Sequence, residues 1–153
     1  PMSPLPFMLK RLPSLYQTLY TTILYKKCNK CQKVPNEAGL CLTCHRLICF
    51  RGDCCKNLKQ NTFETYDHMM SCGGGLGGVV HLKMGSILLV AHKRRCLWHS
   101  LYLDEHGEED KWLKRGHPLR ISPLRFRQLE RMFVHGSFVH HNAECWVTDA
   151  ANY

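Results

Sequence analysis

The distribution of apolar and polar residues predicts a helix near the start of the chain. After Pro13, which suits the first turn of a helix, apolar residues recur on two adjacent rows with helical spacing. These residues are Leu15, Tyr16, Leu19, Tyr20, Ile23 and Leu24. Lys26 and Lys27 follow, where the helix dipole favours cations. Residues 1–27 are therefore expected to form an apolar, proline-rich linker and an amphipathic helix of about three turns.

Two runs rich in β-branched and aliphatic residues lie in the middle of the chain. Residues 79–82 and 86–91 flank Met84 and Gly85, a pattern that predicts a β-hairpin. Residues 96–103 follow as a third strand or an ordered loop. Together with the glycine-rich stretch before them, these runs form a predicted β region at residues 73–121.

A second helix is predicted towards the C-terminus. Ser122 is a suitable N-cap, and Pro123 suits the first helical position. The apolar face of this helix comprises Phe126, Leu129, Met132 and Phe133. We expect the helix within residues 122–141, ending near Gly136, and a tail without a clear pattern at residues 142–153.

Cysteine is concentrated in residues 28–72, which hold eight of the ten cysteines. Two Cys-x2-Cys pairs lie there, and each offers two thiolates from a short loop, as is typical of tetrahedral zinc sites. The candidate zinc ligands are Cys28, Cys31, Cys41, Cys44, Cys49, Cys54, Cys55, His68 and Cys72. So many candidates favour two structural zinc ions, which would supply stability that the few large aliphatic residues of this segment cannot.

The spacing leaves the assignment of ligands to each ion open. In a cross-braced arrangement, the second Cys-x2-Cys pair shares its ion with His68 and Cys72. In the other arrangement, both pairs bind one ion and later candidates bind the second: Cys49, Cys54 or Cys55, His68 and Cys72. His45 directly follows a candidate ligand and is expected to stay outside both sites.

The cysteines also bear on the compartment. A disulfide framework in a secreted protein is the alternative to zinc, but Cys-x2-Cys pairs followed by His68-x3-Cys72 favour metal. The protein is therefore expected in a reducing compartment, namely the cytoplasm and also the nucleus. No apolar run approaches the roughly 20 residues of a membrane span. The chain begins at Pro1 rather than at a methionine, and we expect it to be part of a longer protein.

The formal net charge of +9 would suit an acidic partner such as nucleic acid. Two zinc sites built from seven thiolates and one histidine would lower this charge by about three. The basic residues are also spread along the chain rather than gathered in one block. Nucleic-acid binding is therefore kept only as an alternative.

No catalytic constellation emerges from the sequence. Residues 73–78 match G-x-G-x-x-G, but a dinucleotide site requires a strand before this motif and a helix after it. Here a cysteine-rich loop and a strand are expected, so the glycines instead predict positive φ angles and close backbone approach beside a zinc site. The acidic residues within 104–110 are flanked by Lys111, Lys114 and Arg115, which predicts a salt-bridged surface loop rather than a general acid–base pair.

The order of the motifs is distinctive. LPSLYQTLY precedes CNKCQKVPNEAGLCLTC, and the pair Cys54–Cys55, His68, the CGGG run from Cys72, and LYLDEHGEEDKWLKRGHPL follow. In this order the chain resembles the C-terminal domain of the UBR-type E3 ubiquitin ligases of the N-degron pathway, which include the plant proteolysis-6 protein. CLWHSLYLDEHGEED is most similar to the third animal branch of that family.

This resemblance implies an intracellular ligase whose substrate-binding UBR box and RING lie outside this chain. It implies a zinc-bound cap that packs against other segments of the parent ligase and regulates access to its substrate site. Ubiquitin-conjugating enzymes and degradation substrates would be indirect partners, and no membrane is involved. Many relatives carry a cysteine where this chain has Thr65, which leaves the ligands of the second site open, and glycine is usual at the position of His45.

The expected fold class is α+β. Residues 1–153 would form one small zinc-stabilised domain, with an N-terminal amphipathic helix, a zinc module at residues 28–72, a short antiparallel sheet and a C-terminal helix. The parent would be an E3 ubiquitin-protein transferase, while this chain carries no predicted catalytic residue. Two alternatives remain: a RING-like module that itself binds a ubiquitin-conjugating enzyme, and a zinc-dependent nucleic-acid-binding module. The RING-like alternative lacks the typical Cys-x-His centre, because His45 directly follows Cys44.

Overall fold

The computed structural model describes residues 9–50, 53–92 and 94–134. Within these ranges the α-helices are α1 (Tyr16–Ile23), α2 (Glu64–Gly73) and α3 (Pro123–Val134). The strands are β1 (Ala38–Cys41), β2 (Leu47–Cys49), β3 (Leu76–His81), β4 (Ser86–Ala91), β5 (Arg94–Ser100), β6 (Tyr102–Leu103) and β7 (Arg120–Ile121). The short 3-10 helices are Asp53–Cys55 and Lys111–Leu113. This content confirms the α+β class.

Several predictions concern residues that lie outside the described ranges. These are the linker at residues 1–8, the predicted helix end near Gly136 and the tail at residues 142–153. Among the helices that the structure does describe, none combines the length and the apolar composition needed to cross a membrane.

Five strands form one antiparallel sheet in the order β2-β1-β3-β4-β5. Strands β3 and β4 pair as the predicted hairpin, with Val80 opposite Ile87, and Gly85 in the turn has a φ of +82°. Strand β5 adds to β4, with Cys96 opposite Leu89, so residues 96–100 form a strand rather than a loop. Strands β1 and β2 were not predicted, and they extend the sheet beyond β3. The predicted hairpin is therefore the centre of a larger sheet.

Alternate residues of the sheet point to opposite faces and contribute to two cores. On one face, Val80 packs in a cluster with Leu19 of α1 and Leu129 of α3. On the other face, Val79 packs in a second cluster with Met69 of α2. The two terminal helices therefore cover one side of the sheet, and α2 of the cysteine-rich segment covers the other.

Helix α1 is shorter than predicted. It spans eight residues, about two turns rather than three, and buries three apolar side chains. Leu15 is still extended and forms a β-bridge with Arg120, so this pairing delays the start of the helix. The Tyr16 hydroxyl donates a hydrogen bond to the carbonyl of Leu82, just after β3. Pairing with distant strands therefore sets the position of α1.

Helix α3 begins where the sequence predicts. The Ser122 Oγ accepts a hydrogen bond from the backbone N–H of Arg125 at 3.3 Å, which makes Ser122 the N-cap and Pro123 the first helical residue. Phe133 packs closely on β3 because residue 78 is glycine. A Cβ on Gly78 would lie 3.3 Å from Phe133 Cζ.

The glycine-rich stretch follows α2, which corrects the prediction of a cysteine-rich loop at that place. Gly74 and Gly75, with φ of +64° and +95°, turn the chain from α2 into β3. Gly77 lies directly against the sulfur of Met69, where a Cβ would collide. The predicted positive φ angles and close approach are thus confirmed. The order of helix, glycine turn and strand is the reverse of a dinucleotide site.

Ion pairs order the acidic loop. The Arg115 guanidinium lies 2.7 Å from Glu108, 3.4 Å from Asp104 and 3.8 Å from Asp110. The side chain of Asp104 also accepts hydrogen bonds from the backbone N–H groups of Glu108 and His106, and these bonds together with Arg115 lower its pKa. The predicted salt-bridged loop is confirmed, with Arg115 as the shared cation.

Candidate metal centres

Eight cysteine and histidine side chains converge in two groups. Each group offers four ligand atoms that all lie within 4.8 Å of one another. Site A comprises Cys28, Cys31, Cys49 and Cys55. Site B comprises Cys41, Cys44, His68 and Cys72. Both sites could therefore hold a metal ion.

Site A joins three segments of the chain. Cys28 and Cys31 lie in the loop after α1, Cys49 ends β2, and Cys55 ends the short 3-10 helix. The Sγ of Cys28 is 3.6 Å from that of Cys55, and the Sγ of Cys31 is 3.8 Å from that of Cys49. An ion in site A would therefore tie the loop after α1 to the edge strand of the sheet.

Site B joins the β1–β2 turn to α2. Cys41 ends β1 and Cys44 lies in the turn, while His68 and Cys72 share one face of α2 because they are one helical turn apart. The Sγ of Cys41 is 4.0 Å from that of Cys72, and the Sγ of Cys44 is 3.2 Å from the Nε2 of His68. An ion in site B would therefore clamp α2 onto the sheet.

A left-handed residue directly follows each Cys-x2-Cys pair: Gln32, with φ of +61°, and His45, with φ of +60°. Backbone N–H groups also donate to one sulfur of each pair at 3.4 Å, from Lys30 to Cys28 and from Arg46 to Cys44. Glycine adopts this conformation most readily, which accounts for the glycine that the resemblance implies at the position of His45. As predicted, His45 lies outside both sites.

The geometry of the sites fits zinc. With a Zn–S distance of about 2.3 Å, sulfur atoms at the corners of a tetrahedron lie about 3.8 Å apart. The sulfur separations of 3.6 and 3.8 Å in site A and 4.0 Å in site B are close to this value. Four cysteines, or three cysteines and one histidine, are also donor sets typical of structural zinc.

The electrostatics of the sites fit a cation as well. Burial raises the pKa of the Cys41 thiol to about 12, and it raises the pKa of Cys49 and of Cys55. Burial lowers the pKa of His68, which favours the neutral imidazole that a metal requires. A bound divalent cation would supply the positive charge that stabilises the thiolates.

The structure decides between the two arrangements that the sequence leaves open. The first Cys-x2-Cys pair lies in site A and the second lies in site B. The arrangement with both pairs on one ion is therefore wrong, and the cross-braced grouping, in which the second pair joins His68 and Cys72, is the one observed. Eight of the nine predicted ligands fall in the two sites, and Cys54 does not. That each of these residues binds metal stays a prediction.

Glu64 lies beside site A and was not predicted from the sequence. Its side chain is buried, with 4% of its surface exposed. Its Oε2 accepts a hydrogen bond from the backbone N–H of Cys49 at 3.2 Å and lies 3.7 Å from the Sγ of Cys28. Glu64 therefore links α2 to site A. The same helix carries two donors of site B, His68 and Cys72.

Thr65 does not leave either site short of a donor. Its hydroxyl donates to the carbonyl of Phe50 at 2.7 Å, so the residue acts as a buried hydrogen-bonding group. Both sites already have four donors without it.

The spacing of His68 and Cys72 was the one signal in the sequence for α2, since residues four apart share a helical face.

The described residues define an α+β domain with two cross-braced candidate metal sites. A profile of the family described as Proteolysis_6 C-terminal matches residues 2–135. The chain belongs to this family, which represents the C-terminal domain of UBR-type E3 ubiquitin ligases.

Individual proteins with similar sequences are also E3 ubiquitin-protein ligases. The chain is 41% identical over 138 residues to the E3 ubiquitin-protein ligase UBR3 of Mus musculus, covering 90% of this chain and 7% of that protein. It is 39% identical over 139 residues to Ubr3 of Drosophila melanogaster, covering 91% and 6%. It is 36% identical over 130 residues to PRT6 of Arabidopsis thaliana, covering 81% and 6%. The chain therefore spans only a small part of the length of these relatives.

Proposed function

We propose that this chain is a structural and regulatory zinc-binding cap domain of a UBR-type E3 ubiquitin ligase in the N-degron pathway of ubiquitin-dependent protein degradation. The observation that carries the proposal is the cross-braced pair of sites in a chain whose relatives are UBR-type ligases. Those relatives extend far beyond the matched region. The domain would therefore act by packing against other segments of a parent protein.

Zinc would have a structural role in this domain. Each site offers four protein donors, which would saturate a tetrahedral Zn²⁺ and leave no open position for a substrate. The four thiols of site A would hold the loop after α1 against β2, and the donors of site B would hold α2 against the β1–β2 turn. No residue of the chain is assigned a catalytic role.

The proposed setting is the cytoplasm, and in addition the nucleus. All eight cysteines of residues 28–72 are free thiols in the structure, as zinc ligands in a reducing compartment would be, whereas Cys96 outside this segment is disulfide-bonded. Ubiquitin-conjugating enzymes and degradation substrates would bind the parent ligase, so their link to this domain would be indirect.

We assign the docking surface for the parent ligase to a groove between α1 and the β1–β2 hairpin. The groove holds a cavity of about 310 Å³, and its apolar lining residues are Pro13, Leu19, Ile23, Leu40 and Leu47. Arg11, Lys26 and His45 also line it, and its described lining includes no carboxylate. A segment that presents an apolar side chain next to Asp or Glu matches this groove in both charge and polarity.

The test measures binding of the purified domain to purified fragments that together cover the parent ligase, by calorimetry. The variant Arg11→Glu/Lys26→Glu reverses the charge of the groove and is expected to weaken binding at least about tenfold, because attraction becomes repulsion. Lys59→Glu/Arg127→Glu changes exposed residues elsewhere by the same net charge and should bind like the wild type. If no fragment binds the wild-type domain, the cap proposal is wrong. Equal loss in both variants would place the docking surface outside this groove.

The cross-braced grouping favours a second candidate, the RING-like module. Along the chain, four successive donor pairs alternate between site A and site B, which is the order that a RING requires. Two exposed apolar residues lie three positions after cysteines of site A: Val34, 45% exposed, and Leu58, 86% exposed. They are available to contact a ubiquitin-conjugating enzyme.

Autoubiquitination by the isolated chain tests this second candidate. The chain is incubated with ubiquitin, the activating enzyme and a panel of conjugating enzymes. A RING-like module would modify itself, and Leu58→Glu would abolish the reaction without loss of zinc, since Leu58 lies on the surface. Absence of product with every conjugating enzyme would exclude the RING-like function and leave the cap proposal standing.

A further inference from the structure

A fifth thiol lies at site A. Cys54 is outside the group of four, and its side chain is exposed. Its Sγ is nevertheless 3.7 Å from the Sγ of Cys49 and 3.9 Å from the Sγ of Cys55. A solvent-exposed thiol in contact with two candidate zinc ligands is not needed to complete the tetrahedral set. Its position therefore calls for a different role.

We propose that Cys54 is an oxidative modification site, at which a hydroperoxide oxidises the thiol and Cys49 then forms a disulfide with it. The disulfide removes one donor from site A and releases its zinc. This inference rests on the proposed zinc-binding function, and it assigns to site A a reversible response to oxidants.

The chemistry balances in two steps. The Cys54 thiol attacks the hydroperoxide, the O–O bond breaks, and the products are a sulfenic acid on Cys54 and an alcohol, or water from hydrogen peroxide. The Cys49 sulfur then attacks the Cys54 sulfur, the S–O bond breaks, and hydroxide leaves as water after taking up a proton. The hydroperoxide accepts two electrons in total, one from each sulfur. A dithiol reductant then reduces the disulfide to the two cysteine thiols by disulfide exchange, and is itself oxidised to a disulfide.

Cys49 is a better partner for Cys54 than Cys55 is. Cys49 is the nearer of the two, and five positions along the chain separate it from Cys54. A disulfide bond of about 2.05 Å would require the two sulfur atoms to approach by about 1.7 Å. Cys55 is the direct neighbour of Cys54, so a bond between them would close a small strained ring through one peptide unit. Cys54 lies in a single turn of 3-10 helix, a short element that accommodates such a shift.

The loss of Cys49 from site A would extend beyond one ligand. Cys49 ends the edge strand β2, and its backbone N–H binds the buried carboxylate of Glu64 on α2. Helix α2 also carries His68 and Cys72 of site B. Oxidation of Cys54 would therefore loosen the contact between β2 and α2. It would also change the surface that these two elements form.

The test uses the full chain loaded with zinc and treated with hydrogen peroxide. Zinc release is followed with a chromogenic chelator, and the disulfide is mapped by mass spectrometry of peptides. The wild type should release about one zinc ion per chain and form a Cys49–Cys54 disulfide, and dithiothreitol should restore zinc binding. Cys54→Ser should keep its full zinc content and release it about tenfold more slowly. Cys54→Ala provides a second variant that lacks the thiol.

Three results would overturn the proposal. The first is equal rates of zinc release in the wild type and both variants. The second is a disulfide that excludes Cys54 as the principal product. The third is a lower zinc content in the variants before oxidation, which would make Cys54 a ligand. Disulfide mapping requires no segment of the parent ligase, so its outcome is independent of the docking experiment.

Discussion

Removal of both α2 donors from site B tests whether a metal ion ties this helix to the sheet. In His68→Ala/Cys72→Ser, the site keeps only Cys41 and Cys44. These two cysteines belong to one short turn, so an ion bound to them would no longer connect two segments. We expect the zinc content to fall from about two ions per chain to about one.

The magnitude follows from the size of the loop that the ion closes. Cys44 and His68 are 24 residues apart, and their ligand atoms lie 3.2 Å from each other. The chain-entropy relation for a cross-link gives about 3.5 kcal/mol for a loop of this size. In a domain of about 150 residues, this loss corresponds to a decrease in Tm of roughly 7–14 °C.

The assay compares thermal unfolding of the variant and the wild type, with zinc and after chelation. Met70→Ala, at an exposed position of the same helix, is the control and should unfold like the wild type. After chelation the cross-link is absent from all proteins, so the difference should largely disappear. A variant that still binds about two zinc ions, or that unfolds at the wild-type temperature in zinc, would refute the reasoning.

Three further predictions concern the core, the acidic loop and the thiols. Leu129→Ala should lower the free energy of unfolding by about 2–5 kcal/mol in urea, because Leu129 is fully buried, whereas Leu124→Ala on the exposed side of α3 should cost less than about 0.5 kcal/mol. Asp104→Asn should lower the Tm near neutral pH. Because hydrogen bonds and Arg115 hold the folded-state pKa of Asp104 below its unfolded value of 3.8, its contribution is present above that value and is lost as the pH falls through the folded-state pKa. The Tm difference should therefore narrow below about pH 4, and a constant difference would contradict this account. Zinc uptake at neutral pH should release about seven protons per chain, since burial keeps thiols such as Cys41 protonated without metal. Calorimetry in buffers of different ionisation enthalpy measures this number, and a release near zero would contradict it.

Local patterns were sufficient for the elements whose signals lie within a short stretch. Ser122 and Pro123 marked the start of α3, because an N-cap depends on the atoms of the next three residues. The β3–β4 hairpin was predicted because both strands and the turn at Gly85 are consecutive. The Cys-x2-Cys pairs were likewise visible, because a local turn brings the two thiols of each pair together.

The elements that were not predicted have weaker local signals. Strands β1 and β2 span four and three residues, too few to show the alternation of a half-buried strand. On α2, His68 and Cys72 occupy positions at which a helix would ordinarily show apolar residues, so the helical periodicity was hidden. The predicted length of α1 was wrong because Leu15 pairs with Arg120, a contact that the pattern around Pro13 does not contain.

The sequence was sufficient to identify the candidate donors, to predict zinc rather than disulfides for residues 28–72, and to place the two terminal helices with the hairpin between them. Which candidate donors share a site follows from the tertiary structure alone. Spacing within a Cys-x2-Cys pair is limited by covalent geometry, so the pair is visible in the sequence. The approach of Cys41 to Cys72, 31 residues away, depends instead on β1 pairing with β3 and on α2 packing over that sheet. Such long-range contacts arise from the whole fold, and no local pattern encodes them.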